Sequence, residues 1–279
     1  MTCKSLLTIL TEAATVAPVL EAAAEFAART DAHLDVLSLG LDRSQIGYSY
    51  IGGAAVLAEL SMERAEADAQ ALDAAARIVL NRQDARWAAE AAVAQMGGMA
   101  DLVSLRARYC DLVILPRPYG PGRDGQGAAI IEAALFEGRA PVMILPEGKG
   151  VPAPDGNIVV AWNQSREAMT AVRGALPFLK AAREVSIAVV DPQPWGPERS
   201  DPGGLLCQYL VRHGVKAEVS VLAKTLPDVA DVLTRHVRDR DAGLLVMGAY
   251  SHSRLREAIL GGATRHMLEK AEVPVLMAH

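Results

Sequence analysis

Residues 244–279 read LLVMGAYSHSRLREAILGGATRHMLEKAEVPVLMAH. The stretch opens on the apolar run Leu244-Leu245-Val246-Met247, passes through a polar segment to Gly261-Gly262-Ala263-Thr264, and closes on Val273-Pro274-Val275-Leu276-Met277. Continuous apolar runs of this length are the mark of parallel strands buried on both faces, and two such strands need a helical crossover between them. The segment therefore reads as strand, loop, helix and strand, the end of a doubly wound α/β unit. Gly248 ends the first strand at a sharp turn, and the last helix is expected to start at Ala263 or close to it. Free amides and the positive end of the helix dipole would converge there on a place for an anion.

The spacing Gly248, two residues, Ser251, nine residues, Gly261, Gly262 resembles the signature of the universal stress protein family. Nucleotide-binding members of that family carry Gly, two residues, Gly, nine residues, Gly and then Ser or Thr. Ser251 replaces the second glycine here and Gly262 the first hydroxyl, while Thr264 keeps a hydroxyl two residues on. The closing Val-Pro-Val-Leu is also similar to the family's last strand.

Upstream, the same plan recurs. Asp111-Leu-Val-Ile-Leu matches Gly243-Leu-Leu-Val-Met, and Ala140-Pro-Val-Met-Ile-Leu matches Val273-Pro-Val-Leu-Met. An order of elements met twice makes each assignment less dependent on its own weak propensities. The expectation is two tandem doubly wound α/β units, each with a mainly parallel five-stranded sheet flanked by helices: residues 1–146, a Pro- and Gly-rich linker at 147–156, and residues 157–279. A chain of 279 residues is long enough for two such cores.

In order, strands are expected over 4–10, 33–39, 86–93, 111–115 and 142–145. The helices between them run over 15–29, with Pro18 in the first turn, then 54–82, 98–109 and 128–137. The second half gives strands over 158–162, 184–190, 215–222, 244–247 and 273–277, and helices over 166–181, up to His213, and over 227–240. The loop 40–53, with Tyr48 and Tyr50, and the loop 191–204, with Trp195, are longer than most such connections.

The halves differ where the chemistry would lie. After the fourth strand the first half reads Pro116-Arg117-Pro118-Tyr119-Gly120-Pro121, with Pro116 where the second half has Gly248 and Ala128-Ala129 where it has Gly261-Gly262. Proline has no amide hydrogen to offer a phosphate, so the first half is read as degenerate. In the family an aspartate ends the first strand near adenine and ribose. Asn163 stands there in the second half, able both to donate and to accept hydrogen bonds, and Glu12 in the first. The resemblance thus implies a site in the second half built from Ala161, Asn163, Val190, Met247, Gly248, Ser251, Arg254, Gly261, Gly262, Ala263 and Thr264, holding ATP or a related nucleotide, with or without Mg. Arg254, Arg256 and Arg265 are candidates for neutralising phosphate charge.

Composition sets limits. Hydrophobic residues make up 51% and aromatics 4%, so the cores must be built from Ala, Val, Leu and Ile. A net charge of −5 offers no basic field for DNA or RNA. Cys3, Cys110 and Cys207 form no metal-type pair and read as free thiols of a cytoplasmic protein. No run of 18 apolar residues calls for a membrane span. Neither a Gly-x-x-x-x-Gly-Lys-Ser/Thr loop nor a Gly-x-Gly-x-x-Gly fingerprint occurs, Ser251-His252-Ser253 has no positioned acid, and the nucleotide loop has no Asp for a metal, so catalytic turnover is not expected. His236 and His266 read as surface positions on helices. The family resemblance also implies pairing of last strands, here within one chain between 142–145 and 273–277, with a homodimer of tandem chains beyond it. The reading is a nucleotide-binding stress protein; the alternative is a scaffold or regulatory protein of the same fold that binds no nucleotide, and a slow ATPase is more distant.

Overall fold

A computed structural model describes residues 3–43, 54–120, 123, 125–192, 200–249 and 262–279. The chain divides into two compact units. One runs from Cys3 to Ala140 apart from a short segment that begins at Arg117; the other takes that segment and Pro141–His279.

The first unit follows the order β1 (Ser5–Leu10), α1 (Ala13–Thr30), β2 (His33–Asp42), α2 (Ala54–Leu80), β3 (Arg86–Gln95), α3 (Met99–Ala107), β4 (Leu112–Pro116) and α4 (Gln126–Glu132). α4 runs on into a single π-helical turn, Ala133–Glu137. The strands lie in the order β3-β2-β1-β4, all parallel. Leu6, Leu10 and Leu34 are fully buried, each contributing about 2 kcal/mol of apolar burial. α2 lies so close over β2 that a Cβ on Gly40 would stand 1.9 Å from the Ala65 carbonyl oxygen. Helix α1 begins at Ala13, two residues before the expected Thr15, because alanine is the best helix former and extends it backward. Pro18 consequently sits in the second turn, where its missing N–H removes one helical hydrogen bond.

The second unit contains β5 (Val142–Leu145), β6 (Asn157–Ala161), α5 (Arg166–Ala181), β7 (Glu184–Val190), α6 (Gly204–Arg212), β8 (Ala217–Leu222), α7 (Val229–Asp239), β9 (Ala242–Gly248), α8 (Gly262–Lys270) and β10 (Val275–Ala278). Its strand order is β5-β10-β9-β6-β7-β8. All neighbours are parallel except β5 and β10, which run antiparallel with Val275 opposite Ile144, Leu276 opposite Met143 and Met277 opposite Val142. Val159, Val160, Leu244, Leu245 and Val246 are fully buried, as strands covered on both faces require. Among the described residues no helix is long and apolar enough to cross a membrane.

Candidate functional site

In an open α/β sheet, ligands bind beyond the carboxyl ends of the strands where the strand order reverses. In the second unit that point lies between β6 and β9. From β6 the chain winds outward through α5 to β7, whereas α7 returns it to β9 on the other side of β6. The register puts Ala161 opposite both Ala188 of β7 and Met247 of β9. Ala161, Met247 and Gly248 therefore share one rim, which Val190 at the end of β7 extends outward.

Gly248 has a packing role that its place in a loop signature does not reveal. A Cβ there would lie 2.4 Å from the Ala168 amide nitrogen and 2.7 Å from the Glu167 carbonyl carbon, so its bare backbone admits the first turn of α5. Ser165 caps that turn, its Oγ accepting from the Ala168 amide at 3.0 Å. The amide after Gly248 is not free: Ala249 N–H donates to the Ala278 carbonyl at 2.9 Å. The expected cradle of bare amides is thus narrower than the sequence implies, because the turn leaving β9 is tied to the end of β10.

Asn163 is exposed, and its Oδ1 accepts the Ser165 N–H at 3.2 Å, an Asx turn that leads into α5. The residue before it is the one the sequence reading passed over. Trp162 is 9% exposed, and its indole N–H has no hydrogen-bond partner among the described residues. A buried donor left so is costly in a finished protein and is what a ligand acceptor would satisfy. A tryptophan directly after an apolar strand and before the Asn at a strand end was the available signal.

Helix α8 starts at Gly262, within one residue of expectation. Gly262 and Ala263 are exposed, and a Cβ on Gly262 would meet nothing within 4 Å. Thr264 is 5% exposed, so its side chain belongs to the packed side of the turn. Ser251, Arg254, Arg256 and Gly261 lie outside the described residues, as do Tyr48, Tyr50 and Trp195. Arg265 is engaged within the protein: Nε donates to Glu269 at 2.8 Å, and the guanidinium stands 5.5 Å from the centre of the Tyr119 ring. Among the described residues, what is offered an anion is the exposed first turn of α8, with its macrodipole and backbone groups.

The first unit has the same reversal, between β1 and β4. There Arg123 Nη1 donates to Glu12 Oε2 at 2.6 Å, with both side chains only about a fifth exposed. A carboxylate so occupied by a guanidinium has little left for a sugar hydroxyl.

The second unit also carries a part-buried polar chain away from the rim. Arg240 Nη2 donates to Ser220 Oγ at 2.9 Å, Ser220 and Ser186 hydroxyls are 3.0 Å apart, and Ser186 Oγ lies 2.9 Å from His236 Nε2. His236 is 7% exposed, which corrects its reading as a surface residue. Its helix turns it inward with Leu233 and Val237, three and one positions away. His266 does lie toward the surface, 3.2 Å from Asp228. The three cysteines are free thiols, and burial pushes Cys3 up to about 11 and Cys110 up to about 12, which keeps both unreactive near neutrality. Among the described residues no group of His, Cys, Asp and Glu is placed to hold a metal.

Comparison with known proteins agrees with this geometry. Residues 156–279 match the model of the Universal stress protein family. Universal stress protein Slr1230 of Synechocystis is 36% identical over 69 residues, 25% of this chain and 23% of that protein, so the match spans about a quarter of the relative's length. The crystal structure of a universal stress protein from Archaeoglobus fulgidus superposes with a TM-score of 0.64 at 17% identity, covering 98% of this chain and 95% of its own. A Pseudomonas aeruginosa protein of unknown function, PA1789, gives 0.60 at 17% identity, covering 99% and 92%.

Proposed function

Residues 156–279 form a universal stress protein domain, and from that premise we propose that this half of the chain binds ATP or a related nucleotide at the β6/β9 rim. The role is regulatory, in a stress response inside the cell, and the protein is no strong catalyst. The observation that carries the reading is that the two strands of one reversal, β6 and β9, are followed by Trp162, whose indole N–H has no hydrogen-bond partner among the described residues, and by the exposed first turn of α8 at Gly262-Ala263. Phosphates suit the second and an acceptor on base or sugar suits the first. Mg, where it enters, would come bound to the phosphates.

A second reading, a scaffold or regulatory protein of the same fold without nucleotide, draws on different facts. Gly248 is taken up by α5, the Ala249 amide by β10, and the Asn163 carbonyl oxygen by its own turn. Under either reading the tandem units and a homodimer of chains are the contacts we propose for the protein.

Isothermal titration with ATP separates the two. Wild type is expected to give saturable heat, and Gly262→Glu to abolish it with an unchanged melting temperature, since the new side chain has open space and sets a carboxylate where phosphate would lie. A flat wild-type trace overturns nucleotide binding and leaves the scaffold.

A further inference from the structure

The outer edge of the first unit is β3, ten residues long where about five or six is usual. An edge strand presents unpaired amides and carbonyls and invites another strand, and proteins blunt such edges with prolines, bulges, short length or charge. β3 is Arg-Trp-Ala-Ala-Glu-Ala-Ala-Val-Ala-Gln, without proline and with alanine at half its positions, and its ladder with β2 runs unbroken from Arg86 to Gln95. Ala88, Glu90 and Ala91 are exposed.

The hydrogen bonding fixes which residues face outward. Met96 N–H donates to the Asp42 carbonyl of β2, so the even-numbered residues of β3 bond inward and the odd-numbered ones, Trp87 to Gln95, direct their amides and carbonyls away from the sheet. Two of those outward carbonyls are taken: Gln95, at the end of the row, accepts from the Gly98 N–H at 2.9 Å, and Ala89 accepts from a side chain. Arg77 of α2 donates through Nη2 to the Ala89 oxygen at 2.6 Å, and its guanidinium stands 5.9 Å from the centre of the Trp87 ring. Asp73, one turn earlier, holds Arg77 Nε at 2.7 Å. A helix side chain thus crosses the edge and fills one position inside its hydrogen-bonding row, next to Ala91.

We propose that β3 is a self-association edge, that its partner is the β3 of a second copy, and that the Asp73–Arg77 clasp keeps the two apart. Two copies meeting antiparallel about a two-fold axis pair their outward residues in the closely bonded positions. Centred on Ala91, that register sets Trp87 against Gln95 and Ala89 against Val93. The intervening positions place Glu90 against Ala92 and Arg86 against Met96, so no like charges meet. Moved to centre on Glu90, it would set two carboxylates face to face, which is destabilising. The alanines keep the side chains along the strand small; among the described residues Arg77 bars the approach inside the row by occupying the Ala89 carbonyl that Val93 N–H of the second copy needs, and at its end the Gln95 carbonyl is shared with the Gly98 amide.

Sedimentation velocity across a range of protein concentrations tests this. Arg77→Ala is expected to shift the distribution toward twice the mass of the wild-type species, with at least a tenfold gain in association constant. Asp73→Asn, which frees the guanidinium without removing it, should give a smaller shift in the same direction. Adding Ala91→Pro to Arg77→Ala removes the outward amide at the axis, at a position where an edge strand tolerates proline, and should restore the wild-type distribution. An Ala91→Cys substitution places the location: facing residues about 5.5 Å apart can form a disulfide, so mild oxidation should crosslink two copies in the Arg77→Ala background and not in its absence. Unchanged sedimentation of both Arg77→Ala and Asp73→Asn, or association that Ala91→Pro leaves intact, overturns the proposal. Should Arg77→Ala fail to fold, Asp73→Asn with and without Ala91→Pro decides alone.

Discussion

Alanine at Gly248 is expected to lower the melting temperature of the protein by about 9 °C, taking ~3 kcal/mol for overpacking against rigid neighbours and ~3 °C per kcal/mol for a domain of this size. The first turn of α5 is the obstacle. A methyl group would stand 2.4 Å from the Ala168 nitrogen, and neither that backbone nor β9 can yield alone, since Ser165 caps the helix and β9 is paired on both sides. Gly262→Ala, fourteen residues on, meets nothing within 4 Å and should leave the melting temperature within about 1 °C. Calorimetry of the two variants side by side is the measurement; equal stability of Gly248→Ala and wild type would refute the packing role. The contrast bears on how ligand binding is tested. Lost binding in a Gly248 variant reports a displaced α5 as readily as a missing phosphate contact, whereas a Gly262 variant isolates the helix end.

The second large effect is expected from acid. The polar chain runs from Arg240, which donates to Ser220 Oγ, through the hydrogen-bonded Ser220 and Ser186 hydroxyls to His236 Nε2. His236 itself is buried, 7% exposed. Burial, with the nearby Arg240 guanidinium, holds its pKa below the ordinary 6.5, against the smaller opposing pull of Asp239 and Glu218. The unfolded chain therefore takes up a proton more readily than the folded one, and the stabilisation present above about pH 6.5 is lost as pH falls below it toward the depressed folded value. Urea midpoints measured between about pH 5 and 8 should fall on the acid side for wild type and fall less for His236→Gln. Parallel curves would remove His236 as the titrating group. Ser186→Ala should cost about 1–3 kcal/mol at neutral pH, because it strands the imidazole nitrogen.

What could be read in the sequence was what repeats and what is continuous. The Val, Leu and Ile runs gave nearly every strand, and the strand expected at 215–222, in the matching place of the second half, supported the weaker Ala-rich segment 86–93, which is indeed strand and runs on to Gln95. The bonds that join residues far apart in the chain were not legible. Nothing local in Ala76-Arg77-Ile78 announces that the guanidinium will reach Ala89, or in Met247-Gly248 that a helix starting far back at Arg166 will rest on it. His236 is the instructive miss. Its spacing from Leu233 and beside Val237 puts it on the apolar stripe of α7, and Ser186 interrupts an otherwise apolar strand, so two polar residues at core positions were already in view. Their meeting required the packing of α7 on β7, which no periodicity encodes.

The strand β5 has a practical consequence for dissecting this molecule. It precedes the Pro- and Gly-rich stretch at which one would naturally cut, yet it is laid against β10 through Val142, Met143 and Ile144. A fragment starting at Asn157 would expose the backbone of Val275, Leu276 and Met277 as a raw margin, whereas one starting at Pro141 keeps that margin covered and is expected to be the more soluble of the two.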